Sequence, residues 1–311
     1  MQDSLTDASV LVTGGAGFIG SHLVDALVSD NDVAVLDDLS TGESERLPES
    51  ARLLVDDVRN RERVTDAIAG TDIVFHHAGL VSVAQSTETP YASHTTNATG
   101  TVNVLDAARE PDTRVVFASS AAIYGHPEYT PIDERHPKDP TSPYGLDKLT
   151  ADHYTRLYHD LYDLDTVALR YFNVYGPGQT GGDYAGVISV FIEQALAGED
   201  ITVHGEGDQT RDFVYVDDVV RANRKAALTE HVGRAYNVGS GDSVSIRELA
   251  ELIREITDSD SEIVHVESRT GDVERSEADI SRARRRLEYE PTVSIREGLE
   301  RTVEWYRATR S

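Results

Sequence analysis

The stretch Val10-Leu11-Val12-Thr13-Gly14-Gly15-Ala16-Gly17-Phe18-Ile19-Gly20-Ser21-His22-Leu23 constrains the chain more than any other. An apolar β-type run passes directly into a glycine-rich turn, and the turn into an amphipathic helix. A chain brings backbone N–H groups and a helix N-terminus to a pyrophosphate in this way. Gly14 permits the tight turn, Gly17 lets the backbone approach the phosphates, and Gly20 lets the helix pack closely on its strand, with Phe18 and Ile19 in the same turn. Glycines more often serve ordinary turns, so the context decides. A second apolar run, Asp32-Val33-Ala34-Val35-Leu36, ends in Asp37, close to the spacing of about 20 residues at which an acid binds the adenosine ribose hydroxyls. A carboxylate there would repel a 2′-phosphate, so Asp37 argues for NAD over NADP.

The rest of the chain alternates strand and helix. Strands are expected near Val10–Thr13, Val33–Leu36, Arg52–Val55, Ile73–His76, Val115–Ala118 and Thr166–Arg170, with helices around Ser21–Ser29, Arg61–Ala69, Asn97–Arg109 and Tyr144–Tyr162. That pattern predicts an α/β fold, a Rossmann-type doubly wound parallel sheet with a smaller, interleaved C-terminal substrate lobe. Residues 1–172 read as the NAD-binding domain and 211–239 as a return to it. The stretch from Asn173 to Gln179 reads as a loop, a helix follows near Val187–Ala197, and residues 173–210 and 240–311 read as the smaller, substrate lobe.

Composition excludes several classes. There is no cysteine, hence neither a disulfide nor a thiolate metal site, and no metal is expected. No apolar run reaches the ~18 residues of a membrane span, and the N-terminus lacks the basic and apolar regions of a signal peptide, so a soluble cytoplasmic protein is expected. With 55 acidic against 29 basic residues, the net charge of −26 would repel nucleic acid. Acidic excess spread over a folded pattern, with Lys138, Lys148 and Lys225 the only lysines, fits a surface adapted to molar salt, where the Debye length falls to ~3 Å. A merely acidic enzyme is the competing reading.

In open α/β sheets ligands sit at the carboxyl ends of the strands. Ser119-Ser120, Tyr144 with Lys148, and Asn173 fall there. Tyr144 and Lys148, at i and i+4, share a helix face, so the ammonium is placed to stabilise a phenolate. The ordinary phenol pKa of about 10 is expected to fall toward neutrality beside the lysine and a positively charged nicotinamide, making Tyr144 a general base. Ser120 is placed to bond the same oxygen and orient the proton. An exposed helix pair is the alternative, and a lysine falling here in a chain with three argues against it.

Several further motifs follow in order: Asp56-Asp57-Val58, His76-His77-Ala78-Gly79, Asn97, Ser119-Ser120-Ala121-Ala122-Ile123-Tyr124-Gly125, Tyr144-Gly145-Leu146-Asp147-Lys148 and Leu169-Arg170-Tyr171-Phe172-Asn173-Val174-Tyr175-Gly176. Arg211-Asp212-Phe213-Val214-Tyr215-Val216-Asp217-Asp218 and Arg269-Thr270-Gly271-Asp272 complete the series. With the glycine turn, the chain resembles the extended short-chain dehydrogenase/reductase family and, within it, the UDP-hexose 4-epimerases. The resemblance implies that Asp57 and Val58 contact the adenine and that Ala78, Gly79 and Asn97 line the cofactor channel. Lys148 is implied to hold the nicotinamide ribose, with Ser119 and Tyr144 beside it. Asn173 is implied to bond the UDP-hexose, Arg211 and Arg269 to grip its diphosphate, and Asp272 to anchor the uridine ribose. For Arg211, beside Asp212, surface ion pairing is the alternative. Val81 stands where many family epimerases carry a lysine.

The resemblance also implies the reaction. Dehydratases of the family need an acid–base pair just after the catalytic serine or threonine, and here Ala121-Ala122 follow Ser120. Epimerisation at C4 through a 4-keto sugar, with NAD regenerated and staying bound, is the simplest completion. A nucleotide-sugar dehydratase or reductase whose acid comes from elsewhere is the first alternative, and a non-catalytic NAD-sensing protein the second. Ser276, four residues after Asp272, is implied to gate the pocket beside the sugar's C2 substituent, where a small residue admits an N-acetyl group. A homodimer is implied as well, with helices beginning near Asn97 and Tyr144 pairing into a four-helix bundle.

Overall fold

The computed structural model describes residues 5–179, 186–268, 271 and 273–309. The first half runs β1 (Ser9–Thr13), α1 (Phe18–Leu27), β2 (Asp32–Asp37), β3 (Arg52–Val55), α2 (Arg61–Ile68) and β4 (Ile73–His76). Short helices α3 (Val83–Glu88) and α4 (Pro90–His94) lead through a π-helical turn at Thr95–Thr99 into α5 (Gly100–Ala108), β5 (Arg114–Ser120), α6 (Pro143–Tyr162) and β6 (Thr166–Tyr171). Then come β7 (Asn173–Tyr175), α7 (Val187–Ala197), β8 (Ile201–His204), β9 (Thr210–Arg211), β10 (Phe213–Tyr215), α8 (Val216–Leu228) and β11 (Arg234–Val238). The chain closes with β12 (Val244–Ser245), α9 (Ile246–Thr257), β13 (Ile263–Val266), α10 (Ser281–Leu287) and α11 (Ile295–Thr309).

Seven strands form one parallel sheet in the order β11-β6-β5-β4-β1-β2-β3. Winding reverses between β1 and β4, which places the ligand crevice at their carboxyl ends. The strands are continuous apolar runs because both faces of the sheet are covered. Successive side chains alternate between faces. Val10 and Val12 of β1 join Val33 and Val35 of β2 in one core, whereas Leu11 joins Ala34 and Leu36 in the core on the other side. Full burial of a leucine such as Leu11 contributes about 1.5–3 kcal/mol, so a polar residue anywhere in these strands would be felt. A third core, built on Ile188, Phe191, Val203, Leu249, Ile253 and Leu299, belongs to the smaller lobe.

The structure differs from the sequence reading in a few places, each for a local reason. Helix α1 begins at Phe18, because Gly17 itself caps it. The helical path through Asn97 begins at Pro90, whose fixed φ suits a first helical position, and the π turn then inserts extra residues into a Thr-rich stretch. Residues read as a loop include β7, which pairs in parallel with β10 outside the main sheet. The return to the sheet is made by α8, which packs on β5 and β6, and by β11, which pairs with β6. Ala278, Ile280, Ala283, Leu287 and Tyr289 pack into the core of the large sheet, although they fall in the stretch read as the smaller lobe. Among the described residues no helix is long and apolar enough to cross a membrane.

Candidate active site

The turn after β1 is fixed by contacts that leave no room for side chains. Gly14 has φ +70°, and a Cβ there would lie 2.5 Å from the Ala78 nitrogen. A Cβ on Gly20 would be driven onto the Gly14 carbonyl oxygen. Gly17 caps α1 with no side chain taking the N–H groups of its first turn, which begins with Phe18 and Ile19. Such N–H groups, with the helix dipole behind them, suit a phosphate. Beside the turn the buried Asp37 carboxylate accepts from the nitrogens of Ala16 (2.9 Å) and Leu39 (2.9 Å), which fixes it at the end of β2.

A buried relay joins this turn to the one around Asn97. Burial pushes His76 down to about 3, so its ring is neutral, with one nitrogen donating and the other accepting. Thr101 Oγ1 donates to the Asn97 carbonyl (2.6 Å), so it accepts from His76 Nε2 (3.0 Å). His76 Nδ1 then accepts from Thr13 Oγ1 (2.7 Å), which in turn accepts from the Ala78 nitrogen (3.2 Å).

Asn97 itself is buried and donates from Nδ2 to the Leu80 carbonyl (3.0 Å) and Ser93 Oγ (3.3 Å). Its Oδ1 is buried without a hydrogen-bond partner. A Cβ on Gly79 would stand 2.6 Å from that oxygen and 3.4 Å from Lys148 Nζ. An orphan acceptor and a buried ammonium thus flank a space that only glycine leaves open, and an orphan of this kind costs roughly 1–3 kcal/mol until a donor arrives. Ribose hydroxyls supply such donors, so these residues fit a dinucleotide. Following β3, the side chain of Asp57 is gripped by Arg59, whose hydrogen bonds hold the carboxyl below the usual carboxylate range, and Val58 is buried against Gly100.

At the carboxyl end of β5, Ser120 caps a short 3₁₀ turn by accepting from the Ala122 nitrogen (3.2 Å), and its side chain stands close enough to the Tyr144 hydroxyl to favour the phenolate. Helix α6 places that tyrosine through Ser142, which caps it, and through Ser86 Oγ, which accepts from the Tyr144 nitrogen (3.1 Å). Lys148, buried one turn on, donates to the Ala118 carbonyl (2.9 Å). Burial pushes it down to about 8, which leaves it mostly protonated at neutral pH. The expected lowering of the Tyr144 phenol is absent from the chain alone: burial holds it above its ordinary value, against the opposing pull of the nearby Ser120 side chain. Ser119 Oγ turns away and donates to Asp152 (3.0 Å).

In the smaller lobe's approach to the sheet, Asn173 bonds the Asp212 carbonyl through both its backbone nitrogen (3.0 Å) and Nδ2 (2.9 Å). Arg211 Nη1 donates to the carbonyls of Thr210 (2.8 Å) and Val273 (2.5 Å). The half-buried Ser276 joins the same strand, its nitrogen 3.1 Å from the Thr210 carbonyl. Arg269 and Asp272 lie outside the described residues. Asp212 does not serve Arg211 as a surface partner. Its buried carboxylate accepts from Ser240 N (2.7 Å), Ser240 Oγ (2.8 Å), Gly241 N (3.1 Å) and Ala278 N (3.0 Å), clamping the Ser276 segment to the Arg211 strand. The sequence reading missed this clamp and also the Asp152–Arg170 pair behind Ser119, because a buried carboxylate and a surface one look alike in sequence.

Residues 10–239 match the model of the NAD dependent epimerase/dehydratase family, and the chain belongs to that family. Its cofactor is NAD. The chain is 39% identical over 306 residues to a UDP-glucose 4-epimerase of Mycolicibacterium smegmatis, covering 96% of this chain and 98% of that one. The fold matches a UDP-glucose 4-epimerase of Thermotoga maritima, solved with UDP-glucose, at a TM-score of 0.94 and 38% identity, covering 97% of this chain and 100% of that one. A UDP-N-acetylglucosamine 4-epimerase of Methanobrevibacter ruminantium, solved with UDP-N-acetylmuramic acid, matches at 0.95 and 36%, covering 98% and 100%.

Proposed function

We propose that the chain is a cytoplasmic nucleotide-sugar 4-epimerase that interconverts UDP-glucose and UDP-galactose and accepts their N-acetyl forms. The observation that carries this reading is the gathering of Ser120, Tyr144 and the buried Lys148 at the carboxyl end of β5, with Lys148 held on the Ala118 carbonyl and the methyl groups of Ala121 and Ala122 following Ser120. NAD supplies the reversible oxidation of the sugar at C4. The chain's part is the proton: the Tyr144 oxygen takes it from the 4-hydroxyl, Ser120 orients that oxygen, and the Lys148 ammonium opposes the charge left on the phenol. Because burial raises the phenol, Tyr144 becomes a base when positive charge gathers beside it, which restricts the chemistry to the loaded site. Asn173, Arg211, Arg269 and Asp272 hold the nucleotide, the two guanidinium forks matching a diphosphate. With no carboxylate beside Ser120 to eliminate water, the keto sugar turns and takes its proton back from Tyr144.

Sugar size tests the pocket. Ser276→Tyr is expected to remove activity on UDP-N-acetylglucosamine by steric overlap while sparing UDP-glucose, as read by chromatography of the UDP-sugars. Equal loss on both, or on neither, removes Ser276 as the gate.

Two further expectations concern the surface. Leu146, Tyr154, Leu157 and Leu161 form an exposed apolar stripe along α6, at the spacing of one helix face, which supports a homodimer built on this helix and α5. Light scattering in high salt should show a dimer, and Leu157→Glu with Leu161→Glu a monomer. A monomeric wild type contradicts the interface. The net charge of −26 supports a surface adapted to molar salt. Thermal melting should then occur at a higher temperature in molar KCl than in dilute buffer, because self-repulsion is screened. A higher midpoint at low salt refutes it.

A further inference from the structure

A cleft of about 790 Å³ opens between the β11 edge of the sheet, α10 and the segment around Arg135. It lies away from the catalytic crevice. Arg234 opens β11, and β11 runs parallel to β6, so the cleft stands at the amino end of the sheet edge, whereas Ser120 stands at a carboxyl end. Its walls carry Arg135, Arg234, Arg282, Arg285, Arg286 and His231. A second hollow of about 250 Å³ shares Glu134, Arg234 and Arg282 with it and adds Lys138 and Arg156.

Four acids line the same cleft against its five arginines, and three of them are held by hydrogen bonds within its walls, the Asp279 carboxylate also interacting electrostatically with Arg285 and Arg282. Asp133 Oδ1 accepts from the nitrogens of Arg135 (2.9 Å) and His136 (2.8 Å), and Asp279 Oδ1 accepts from Ser281 N (2.8 Å) ahead of α10. Glu134 pairs with Arg282 (3.3 Å) and accepts from Asn237 N (3.1 Å). Glu230 remains, at the exposed rim. Among the described residues the guanidinium groups of Arg135, Arg234 and Arg285 make neither a hydrogen bond nor an ion pair. In a chain with 55 acidic residues against 29 basic ones, three such forks facing one hollow are out of keeping with the rest of the surface.

We infer that this cleft binds a small phosphorylated anion of about pyrophosphate size, held by the guanidinium forks of Arg135, Arg234 and Arg285. The forks match phosphate oxygens two at a time, which fixes the ligand by hydrogen-bond geometry as well as by charge. The volume lies within the ~300–1,000 Å³ of small-molecule sites. The cation-rich walls set against an anionic exterior would also draw a multiply charged anion to this one face.

Equilibrium dialysis of radiolabelled inorganic pyrophosphate against the NAD-loaded protein tests this, with excess UDP present to fill the nucleotide crevice. One pyrophosphate per chain is expected despite the UDP, weakened at least tenfold in Arg234→Gln/Arg285→Gln, with UDP binding retained as the check on folding. Arg135→Gln, from a separate segment, should weaken it on its own. Absence of any site that persists under UDP, or unchanged binding in both variants, overturns the inference. Neither result depends on which sugar the crevice turns over.

Discussion

Tyr144→Phe is expected to lower kcat by about 10²–10⁴-fold while leaving NAD bound, the range in which loss of a general base falls. The ring still fills its place against β5, because α6 is positioned by Ser142 and Ser86 rather than by the phenol. What disappears is the oxygen beside Ser120 that, on the proposed reading, takes the sugar's proton. Lys148, held by the Ala118 carbonyl, stays where it is. The effect should therefore appear in kcat, with NAD content unchanged by absorbance of the purified protein. A variant that keeps more than about a tenth of the wild-type rate would remove Tyr144 as the base.

Asp152→Asn carries the second large effect, on stability. Arg170 and Asp152 are both essentially inaccessible and meet through two parallel bonds, Nε to Oδ2 at 2.9 Å and Nη2 to Oδ1 at 3.0 Å. Asp152 also accepts from Ser119 Oγ (3.0 Å) and Arg156 Nε (3.0 Å), and Arg170 Nη1 reaches the Tyr124 hydroxyl (3.0 Å). Removing one charge strands a buried guanidinium, which typically costs about 3–5 kcal/mol. Against a total of roughly 5–15 kcal/mol, denaturant melts should show a large fall in midpoint. An unchanged midpoint contradicts the account. The sign with pH follows from the same pair. Burial alone would raise the Asp152 carboxyl, but the two arginines outweigh it and hold it below its ordinary value. Its stabilisation is full above the unfolded carboxyl pKa of about 3.9 and is lost as pH falls through the lower folded value, so the wild type should lose the greater share of its stability in acid.

The frame was legible because its rules are local. The glycine turn, the acid at the end of β2 and the apolar runs each state a backbone requirement, and the six strands expected from them are present within a few residues. The placing of Ser120 at the end of β5 and of Tyr144 and Lys148 on α6 was legible too, since helix spacing and strand ends place side chains predictably. What stayed hidden depends on burial. Nothing in the letters distinguishes Asp152 or Asp212, sunk beneath the site, from the many carboxylates on the surface. The phenol is expected to fall beside Lys148 and a positively charged nicotinamide together, whereas in the chain alone the ammonium is held on the Ala118 carbonyl and burial sets the direction. β11 escaped notice because Asn237 interrupts its apolar run. That asparagine is satisfied inside the fold by the Tyr124 hydroxyl (2.6 Å) and the Ile132 carbonyl (2.8 Å), partners distant in sequence.

Mass spectrometry and chromatography of UDP-glucose incubated in D₂O with the NAD-loaded protein, without added cofactor, test the central reading most directly. The account predicts UDP-galactose of the same mass as the substrate, with no deuterium on carbon and no loss of water, because the oxidised site acts on C4 and Tyr144 exchanges only the hydroxyl proton. A product lighter by one water, or one carrying deuterium on carbon, would show that the methyl groups of Ala121 and Ala122 do not keep elimination out of the site.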